Sequence, residues 1–242
     1  PTVVQEQNSY AGITNIRLGK KAKYICTAYE NAARFFPTDR VRLTGNPVRE
    51  VFTRELPQQG ASKSAMGFDP SKKLLLVLGG SLGARAINRQ MAKSLADIRA
   101  QGWQVMWQCG KLYEEEYQGM TGDGTKVQAF IEDMSVAYAA ADAIVSRAGA
   151  GTLSELCLIG KPALLIPSPN VAEDHQTHNA RALSEKGAAI LVSEKDMEER
   201  FLEELASMQT QEITEKMSAA IKGLALPKAT SDIADLIDGL GE

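Results

Sequence analysis

Two glycine-rich turns contain the residues of this chain that are best suited to binding a ligand. The first, GGSLGA at residues 79–84, follows the apolar run 74–78, and the second, RAGAGT at residues 147–152, follows the apolar residues 143–145. A glycine turn lets the backbone approach a ligand, and the free N–H groups of a following helix attract an anion. A single turn of this kind is equally explained by close packing. Two of them at the carboxyl ends of strands in one sheet predict a crevice for a diphosphate-bearing ligand, with the Ser81 hydroxyl facing it.

The helix predicted after the second turn presents Thr152 and Glu155 on one face. Thr152 is expected to cap this helix or to donate from its first turn. A first-turn Glu ordinarily complements the helix dipole or completes a capping box. A carboxylate beside a phosphate-binding helix start also holds ribose hydroxyls, and the loop context favours that role for Glu155.

A third polar cluster, EDHQTHN at residues 173–179, contains both histidines of the chain. Their spacing of three residues would suit a metal site, but no third ligand is identifiable. Asp174 is more simply interpreted as a helix N-cap. Gln176 and Asn179 carry amide groups, which suit the neutral hydroxyls of a sugar better than a metal ion.

Polar side chains in the loops near the amino terminus complete the set. Gln5, Asn8 and Asn15 accompany the first predicted strand, and Asn46 and Arg49 follow the third. The asparagines suit turns, and Arg49 could be an ordinary surface charge. Alternatively, an Arg just before an interdomain linker could face a cleft and meet a phosphate. The sequence contains no Ser/His/Asp or Cys/His arrangement typical of nucleophilic catalysis.

The elements that must position these residues alternate between strand and helix. The smaller amino-terminal part has strands at 2–4, 22–28 and 41–44 and a helix at 11–20, and a linker is expected at 53–72. The larger part has strands at 74–78, 103–108, 126–130, 143–146, 163–167 and 189–192, and helices at 84–100, 134–140, 151–159 and 176–186. The tail from 196 to 240 is helical with a break at Pro227. Strands apolar on both faces predict an α/β fold with a Rossmann-like parallel sheet between two helix layers.

Composition limits the class of protein. With 242 residues, 44% hydrophobic residues and a net charge of −3, the chain is an ordinary globular protein without the basic surface of a nucleic-acid binder. Its three widely spaced cysteines suggest neither a disulfide framework nor a metal site, and suit a reducing cytoplasm. No apolar run is long enough for a transmembrane helix. The abrupt start at Pro1, in what looks like a strand, suggests a carboxyl-terminal fragment of a longer protein.

Taken together, these motifs resemble the MurG family of GT-B glycosyltransferases over nearly the whole chain. The resemblance rests on Glu6-Gln7-Asn8 with Ala11-Gly12 and Asn15, Gly45-Asn46-Pro47-Val48-Arg49, Gly79-Gly80-Ser81 with Gly83-Ala84, Asp133-Met134 with Tyr138, Arg147, Gly149-Ala150, Thr152 and Glu155, Asp174, Gln176, Asn179-Ala180, and Gly187-Ala188-Ala189. Many ordered motifs at matching separations make the family assignment specific, although each motif alone is weak.

The resemblance implies how the chain is divided and which residues bind substrate. Residues 1–49 would end an acceptor-binding domain, 50–226 would form the donor-binding domain, and 227–242 would form a helix that returns to the first domain. The implied substrate-binding residues are Asn8, Asn15, Arg49, Ser81, Ile131, Ala150, Gly151, Thr152, Glu155, Gln176 and Asn179. Among these, Ser81 and the helix start at Thr152 would hold the diphosphate, with Arg49 nearby. Ile131 would offer backbone contacts to uracil.

The resemblance further implies an inverting N-acetylglucosaminyltransferase of peptidoglycan synthesis. It would move N-acetylglucosamine from its UDP donor to undecaprenyl-diphospho-muramoylpentapeptide, without a metal or other cofactor. The protein would lie peripherally on the cytoplasmic face of the bacterial cell membrane. The general base and the acceptor loops would lie upstream of Pro1. Two positions depart from the family pattern, because Gln5 stands where His is common and Gly151 where Leu can occur.

Two other functions fit the same pattern. A UDP-sugar epimerase of similar architecture would need acid/base groups in the cleft, for which Glu173, His175 and His178 are the candidates. A donor-binding subunit that works with a separate acceptor-binding chain would need only the diphosphate and sugar sites.

Overall fold

The computed structural model describes residues 1–241 and contains two parallel sheets. The strands are β1 Val3–Glu6, β2 Tyr24–Thr27, β3 Val41–Leu43, β4 Leu74–Leu78, β5 Gln104–Gln108, β6 Thr125–Gln128, β7 Ala143–Ser146, β8 Ala163–Leu165 and β9 Ile190–Leu191. The smaller sheet has the order β1-β2-β3, and the larger has the order β6-β5-β4-β7-β8-β9. This confirms the parallel α/β fold and shows two Rossmann-like sheets.

Ten α-helices connect or flank the strands in the described residues. They are α1 Ile13–Gly19, α2 Gln59–Ala65, α3 Arg85–Ala100, α4 Glu114–Tyr117, α5 Met134–Ala140, α6 Ala150–Ile159, α7 His175–Ser184, α8 Met197–Ser207, α9 Gln211–Lys222 and α10 Ala229–Asp238. Every predicted helix is present, with ends shifted by one or two residues.

The larger sheet is buried on both faces. All five residues of β4 are buried, and so are all five of β5, as their uninterrupted apolar character requires. One face packs against α5, α6, α7 and α9 through residues such as Tyr138 and Leu156, and the other packs against α3 and α8 through residues such as Met91 and Phe201. The helices therefore cover both faces, as predicted.

Strands β4 and β7 are neighbours in the larger sheet, with Leu75 paired to Ala143, although 64 residues lie between the end of β4 and the start of β7. The strand order reverses at this pair, because β5 and β6 lie on one side and β8 and β9 on the other. Ligands of open α/β sheets bind outside the carboxyl ends of the strands at such a reversal. Both glycine turns lie there.

Two predictions about irregular segments were incomplete. The expected linker 53–72 contains α2, which packs against α5 and sets its buried Lys63 on Asp142 at 2.7 Å. Between β5 and β6, where no element was predicted, the chain forms α4 and short 3-10 turns, and Tyr117 of α4 is buried against Trp107. These segments are polar in sequence because they run over the surface, and their few anchoring residues carry little periodic signal.

The chain passes between the two sheets at two adjacent places. It first crosses after β3 at Gly45, and it returns between α9 and α10 at Leu226. A Cβ atom at Gly45 would lie 2.6 Å from Cβ of Leu226, so the two crossings are in contact. Helix α10 then packs beside the smaller sheet, where Lys23 donates to the carbonyl of Gly239. The predicted break at Pro227 is confirmed, and the helical tail comprises α8, α9 and α10.

Candidate functional site

The first glycine turn is held in a shape that only glycine allows. Gly80 and Gly83 have φ values of 78° and 90°, and a Cβ atom on Gly83 would lie 2.3 Å from the carbonyl oxygen of Cys109. The turn leaves Ser81 exposed, and the Ser81 hydroxyl bonds to no other described residue. Helix α3 follows without a side-chain cap at Ala84. The first N–H groups of α3 and the Ser81 hydroxyl are thus available to an anion, whereas the Gly83 N–H donates to the carbonyl of Gly80.

The second turn leads directly into α6. The N-cap is Gly149, with no side-chain cap, so the prediction that Thr152 could be the cap is wrong and its first-turn position is right. A glycine cap leaves the first N–H groups of the helix without a partner. Gly151 faces open space, since a Cβ atom there would meet nothing within 4 Å. Ala150, Gly151 and Thr152 therefore form an accessible helix start at the carboxyl end of β7.

Glu155 lies one turn further along α6 and is held from two sides. Its Oε2 accepts a hydrogen bond from the Tyr138 hydroxyl at 2.9 Å, and its Oε1 lies 3.3 Å from Nη2 of Arg49. The Glu155 side chain is 18% exposed, whereas that of Arg49 is 58% exposed. Burial, together with the adjacent carboxylate, raises the pKa of Tyr138, so its hydroxyl stays protonated and donates. Glu155 is thus an oriented acceptor beside the helix start and makes no capping bond.

Arg49 faces the crevice through this ion pair. Its guanidinium also lies 4.6 Å from the centre of the Phe52 ring. These two contacts set Arg49 beside Glu155, and its exposure leaves donors free toward the crevice. The arrangement suits an anion that reaches both Arg49 and the start of α6.

Ile131 follows β6 at the far side of the first turn. Its side chain is buried, with 4% exposed, while the neighbouring Phe130 ring is 51% exposed. The backbone N–H and C=O of Ile131 bond to no other described residue. They are therefore free to meet the polar edge of a flat ring, which is the role that the resemblance implies.

A buried carboxylate that the sequence reasoning missed organises the loop after β1. Glu6 is 2% exposed, and its Oε1 accepts from the backbone N–H of Asn8 at 2.9 Å. Its Oε2 accepts from Nδ2 of Asn15 at 2.9 Å and from the backbone N–H of Gly12 at 3.1 Å. Asn15 is therefore occupied in holding this loop. The sequence carries little signal for this, because Val3 and Val4 are both apolar, and the alternation that turns Glu6 inward along β1 is visible only in the structure.

Several further contacts join the two sheets at this loop. Asn46 accepts from Nε2 of Gln5 at 2.7 Å and donates to the Ser154 hydroxyl at 3.0 Å. Asn179 is fully buried and bonds to Asn8, and its hydrogen-bonding groups are all used inside the protein. A sugar contact from Asn179 would require one of these bonds to break. The predicted contact between Asn179 and the sugar thus competes with the hydrogen bonds that Asn179 makes inside the protein.

Gln176 is differently placed on the same helix. Its Oε1 accepts from the backbone N–H of Ser168 at 2.9 Å, which fixes the amide, and its Nε2 bonds to no other described residue. The free NH₂ group can donate to a hydroxyl. Gln176 therefore remains a candidate for contact with a sugar.

The polar cluster around the two histidines is occupied by local contacts. His175 Nδ1 lies 2.8 Å from the carbonyl oxygen of Ala172, and His178 stacks on Tyr10 at 4.7 Å. Asp174 stands at the N-cap position of α7, but its carboxylate accepts from the Thr177 hydroxyl and caps no backbone N–H. Within the described part of the chain, no three His, Cys, Asp or Glu side chains are grouped to hold a metal ion.

A cavity of about 520 Å³ lies between the two sheets behind Ser154. Both chain crossings border it, and so do Tyr29 and Cys157. Burial raises the pKa of Cys157 to about 12. Helix α6 contributes Ser154, Cys157 and Leu158 to the lining of this cavity, and Glu155 is not among the lining residues.

Comparison with known proteins places this architecture in a class. The structure matches the crystal structure of Acinetobacter baumannii MurG with a TM-score of 0.80 and 30% identity, over 99% of this chain and 67% of that one. Two parallel Rossmann-like sheets with a glycine-lined crevice at the strand reversal define a GT-B glycosyltransferase fold. None of the described helices combines the length and apolarity needed to cross a bilayer.

The sequence comparisons define the family. The model of the glycosyltransferase family 28 C-terminal domain matches residues 74–237. The chain is 48% identical to a protein of Flavobacterium psychrophilum over 100% of its length and 45% identical to one of Bacteroides thetaiotaomicron, likewise over 100%. Both are named UDP-N-acetylglucosamine–N-acetylmuramyl-(pentapeptide) pyrophosphoryl-undecaprenol N-acetylglucosamine transferase. The chain belongs to glycosyltransferase family 28 and, within it, to the MurG family. It spans about two thirds of the length of these relatives, 66% and 67% respectively.

Proposed function

We propose that this chain supplies the donor site of an inverting N-acetylglucosaminyltransferase that acts on a lipid-linked muramoyl pentapeptide. The observation that supports the proposal is the crevice at the β4/β7 reversal, where α3 and α6 begin without side-chain caps and α6 carries an oriented carboxylate, Glu155, in its second turn. The names of its relatives supply the donor, UDP-N-acetylglucosamine, and the acceptor.

Each part of the donor meets a group of matching chemistry. The diphosphate lies at the Ser81 turn and the start of α6, where N–H groups and helix dipoles favour negative charge. Glu155 accepts from the ribose hydroxyls, and the free backbone of Ile131 meets uracil. The NH₂ group of Gln176 donates to the sugar.

The reaction is a direct displacement. The muramoyl hydroxyl forms a bond to the anomeric carbon of N-acetylglucosamine as the bond from that carbon to the diphosphate oxygen breaks, and a base takes the hydroxyl proton. Negative charge grows on the departing UDP. The helix starts and Arg49 stabilise that charge, which lowers the barrier because these donors are already in place. The scheme uses no cofactor beyond the donor substrate, and we place the protein peripherally on the cytoplasmic face of the membrane, where the lipid-linked acceptor is presented.

Product analysis and calorimetry test the proposal. The full-length protein, given UDP-N-acetylglucosamine and the lipid-linked acceptor, should release UDP and form the disaccharide-linked lipid. Without acceptor the sugar should stay unchanged, and an epimerised sugar would identify an epimerase instead. In calorimetry the 242-residue chain should bind UDP. Thr152→Ala and Glu155→Ala should weaken that binding, and unchanged affinity in both variants would refute the donor-site assignment.

A further inference from the structure

Asn179 occupies a position that only a side chain with both donors and an acceptor can fill. It is 0% exposed on α7. Its Oδ1 accepts from the backbone N–H of Ser9 at 2.8 Å, and its Nδ2 donates to Oδ1 of Asn8 at 3.0 Å and to the carbonyl oxygen of Ala148 at 3.3 Å. The amide is therefore fully satisfied within the protein.

The partners of Asn179 lie on both sides of the crevice. Asn8 and Ser9 belong to the loop after β1 in the smaller sheet, and that loop is anchored on the buried Glu6. Ala148 lies in the turn that follows β7 of the larger sheet and directly precedes Gly149, the N-cap of α6. A continuous series of hydrogen bonds thus runs from Glu6 through Asn8 and Asn179 to the start of α6.

We propose that Asn179 is a positioning residue that sets the start of α6 against the loop of Asn8, and that it does not contact the sugar. This inference rests on the proposed donor site. The N–H groups of residues 150–152 bind the diphosphate only if they point at it, and the carbonyl of Ala148 shares its peptide unit with Gly149, the N-cap of that helix. Loss of the Asn179 amide removes the hydrogen bonds to the loop of Asn8 and to the Ala148 carbonyl, so the start of α6 loses its fixed orientation.

The two possible roles of Asn179 differ in which ligand they affect. A residue that reads the sugar changes the affinity for UDP-N-acetylglucosamine and leaves the affinity for UDP unchanged, because UDP has no sugar at that place. A residue that positions α6 weakens both by the same factor, since both ligands share the diphosphate. The experiment measures the Kd of both ligands by calorimetry on the 242-residue chain.

Four variants make the comparison. Asn179→Ala should raise both Kd values by about tenfold, within the usual range of coupling between linked sites. Gln176→Ala should raise only the Kd for UDP-N-acetylglucosamine. Arg181→Ala removes an exposed side chain of the same helix that bonds to no other described residue, and it should change neither Kd. Asn179→Asp preserves the shape and the acceptor for Ser9 but lacks both donors, so it should also weaken both ligands equally.

Each outcome decides between the roles. If Asn179→Ala or Asn179→Asp weakens only UDP-N-acetylglucosamine, Asn179 reads the sugar and the inference is wrong. If unfolding becomes easier in the folded Asn179→Asp protein while both Kd values stay unchanged, the residue acts in stability alone, which also overturns it. If the unaltered chain binds neither ligand, the proposed donor site fails first. That result is distinguishable because it does not depend on Asn179.

Discussion

The hydrogen bond from the Tyr138 hydroxyl to Glu155 should contribute both to stability and to UDP binding, and removal of that hydroxyl tests this. Tyr138→Phe removes only the oxygen that donates to Glu155 Oε2 at 2.9 Å. A hydrogen bond to a charged group contributes about 1.5–3 kcal/mol. Because Glu155 is 18% exposed, water recovers part of this, and we expect a loss of about 1–2 kcal/mol in the free energy of unfolding.

The other partner of Glu155 cannot compensate. The Arg49 side chain is 58% exposed, and an ion pair of that kind contributes about 0–1 kcal/mol. Without the Tyr138 hydroxyl, the Glu155 carboxylate regains rotational freedom. Ordering one such side chain again on binding costs about 0.5–1.5 kcal/mol, so the Kd for UDP should rise about two- to thirteenfold.

Tyr29→Phe is the matched control. The Tyr29 ring lines the cavity between the sheets, burial raises the pKa of its hydroxyl, and that hydroxyl bonds to no other described residue. Its removal should change the unfolding free energy by less than about 0.5 kcal/mol and leave UDP affinity unchanged. Urea unfolding followed by circular dichroism measures both variants. Equal losses in the two variants, or no loss in Tyr138→Phe, would refute the reasoning.

Three further predictions concern the turns, a helix cap and the thiols. Gly83 has a φ of 90°, and a Cβ atom there would lie 2.3 Å from the carbonyl oxygen of Cys109. Gly83→Ala should therefore lower the free energy of unfolding, measured by thermal unfolding, by about 2–4 kcal/mol. Gly80 has a φ of 78° but open space around it, so Gly80→Ala should lower the free energy of unfolding by only about 1–2 kcal/mol. Equal losses in the Gly80 and Gly83 variants would contradict the role of the clash with Cys109. Hydrogen bonding by Ser135 lowers the pKa of Asp133, the N-cap of α5, so Asp133→Ala should lose about 1 kcal/mol at pH 7. That difference should fade as the pH falls below about 4 toward the lowered pKa, since the cap acts as a carboxylate. All three cysteines are buried, and burial raises the pKa of each, so Ellman's reagent should label no thiol of the folded chain at pH 8 and three after denaturation. Rapid labelling of any thiol in the folded chain would contradict this prediction.

The architecture was largely predictable because its signals are local. The five apolar residues of β4 and the glycines that follow them are contiguous in the chain, and so are the strand β7 and its turn. The buried residues Ile87, Met91 and Ile98 of α3 likewise recur at helical spacing within one continuous segment. Boundaries differed by one or two residues because frayed ends and caps carry weak signals.

The site was predictable only in part, because its bonds join residues that are distant in the chain. Glu155 was expected at the crevice, but nothing near it indicates that Tyr138, on another helix, orients its carboxylate. Asn179 and Asn8 are 171 residues apart, and their pairing depends on how the two sheets meet. An amide that is free to bind a sugar and one whose hydrogen bonds are all made inside the protein look the same in sequence.

The contact between Gly45 and Leu226 has a topological consequence. Everything from residue 46 to 225, including the whole larger sheet, is an insertion between β3 and α10, and its two ends meet. A segment whose ends are adjacent can be exchanged as a unit, because its replacement needs only two junctions at one place. Members of this family could therefore exchange the larger sheet, with its crevice, by recombination at two junctions that lie side by side between the sheets. The contacts of Asn46 and Asn179 across that boundary would then decide which exchanges still work.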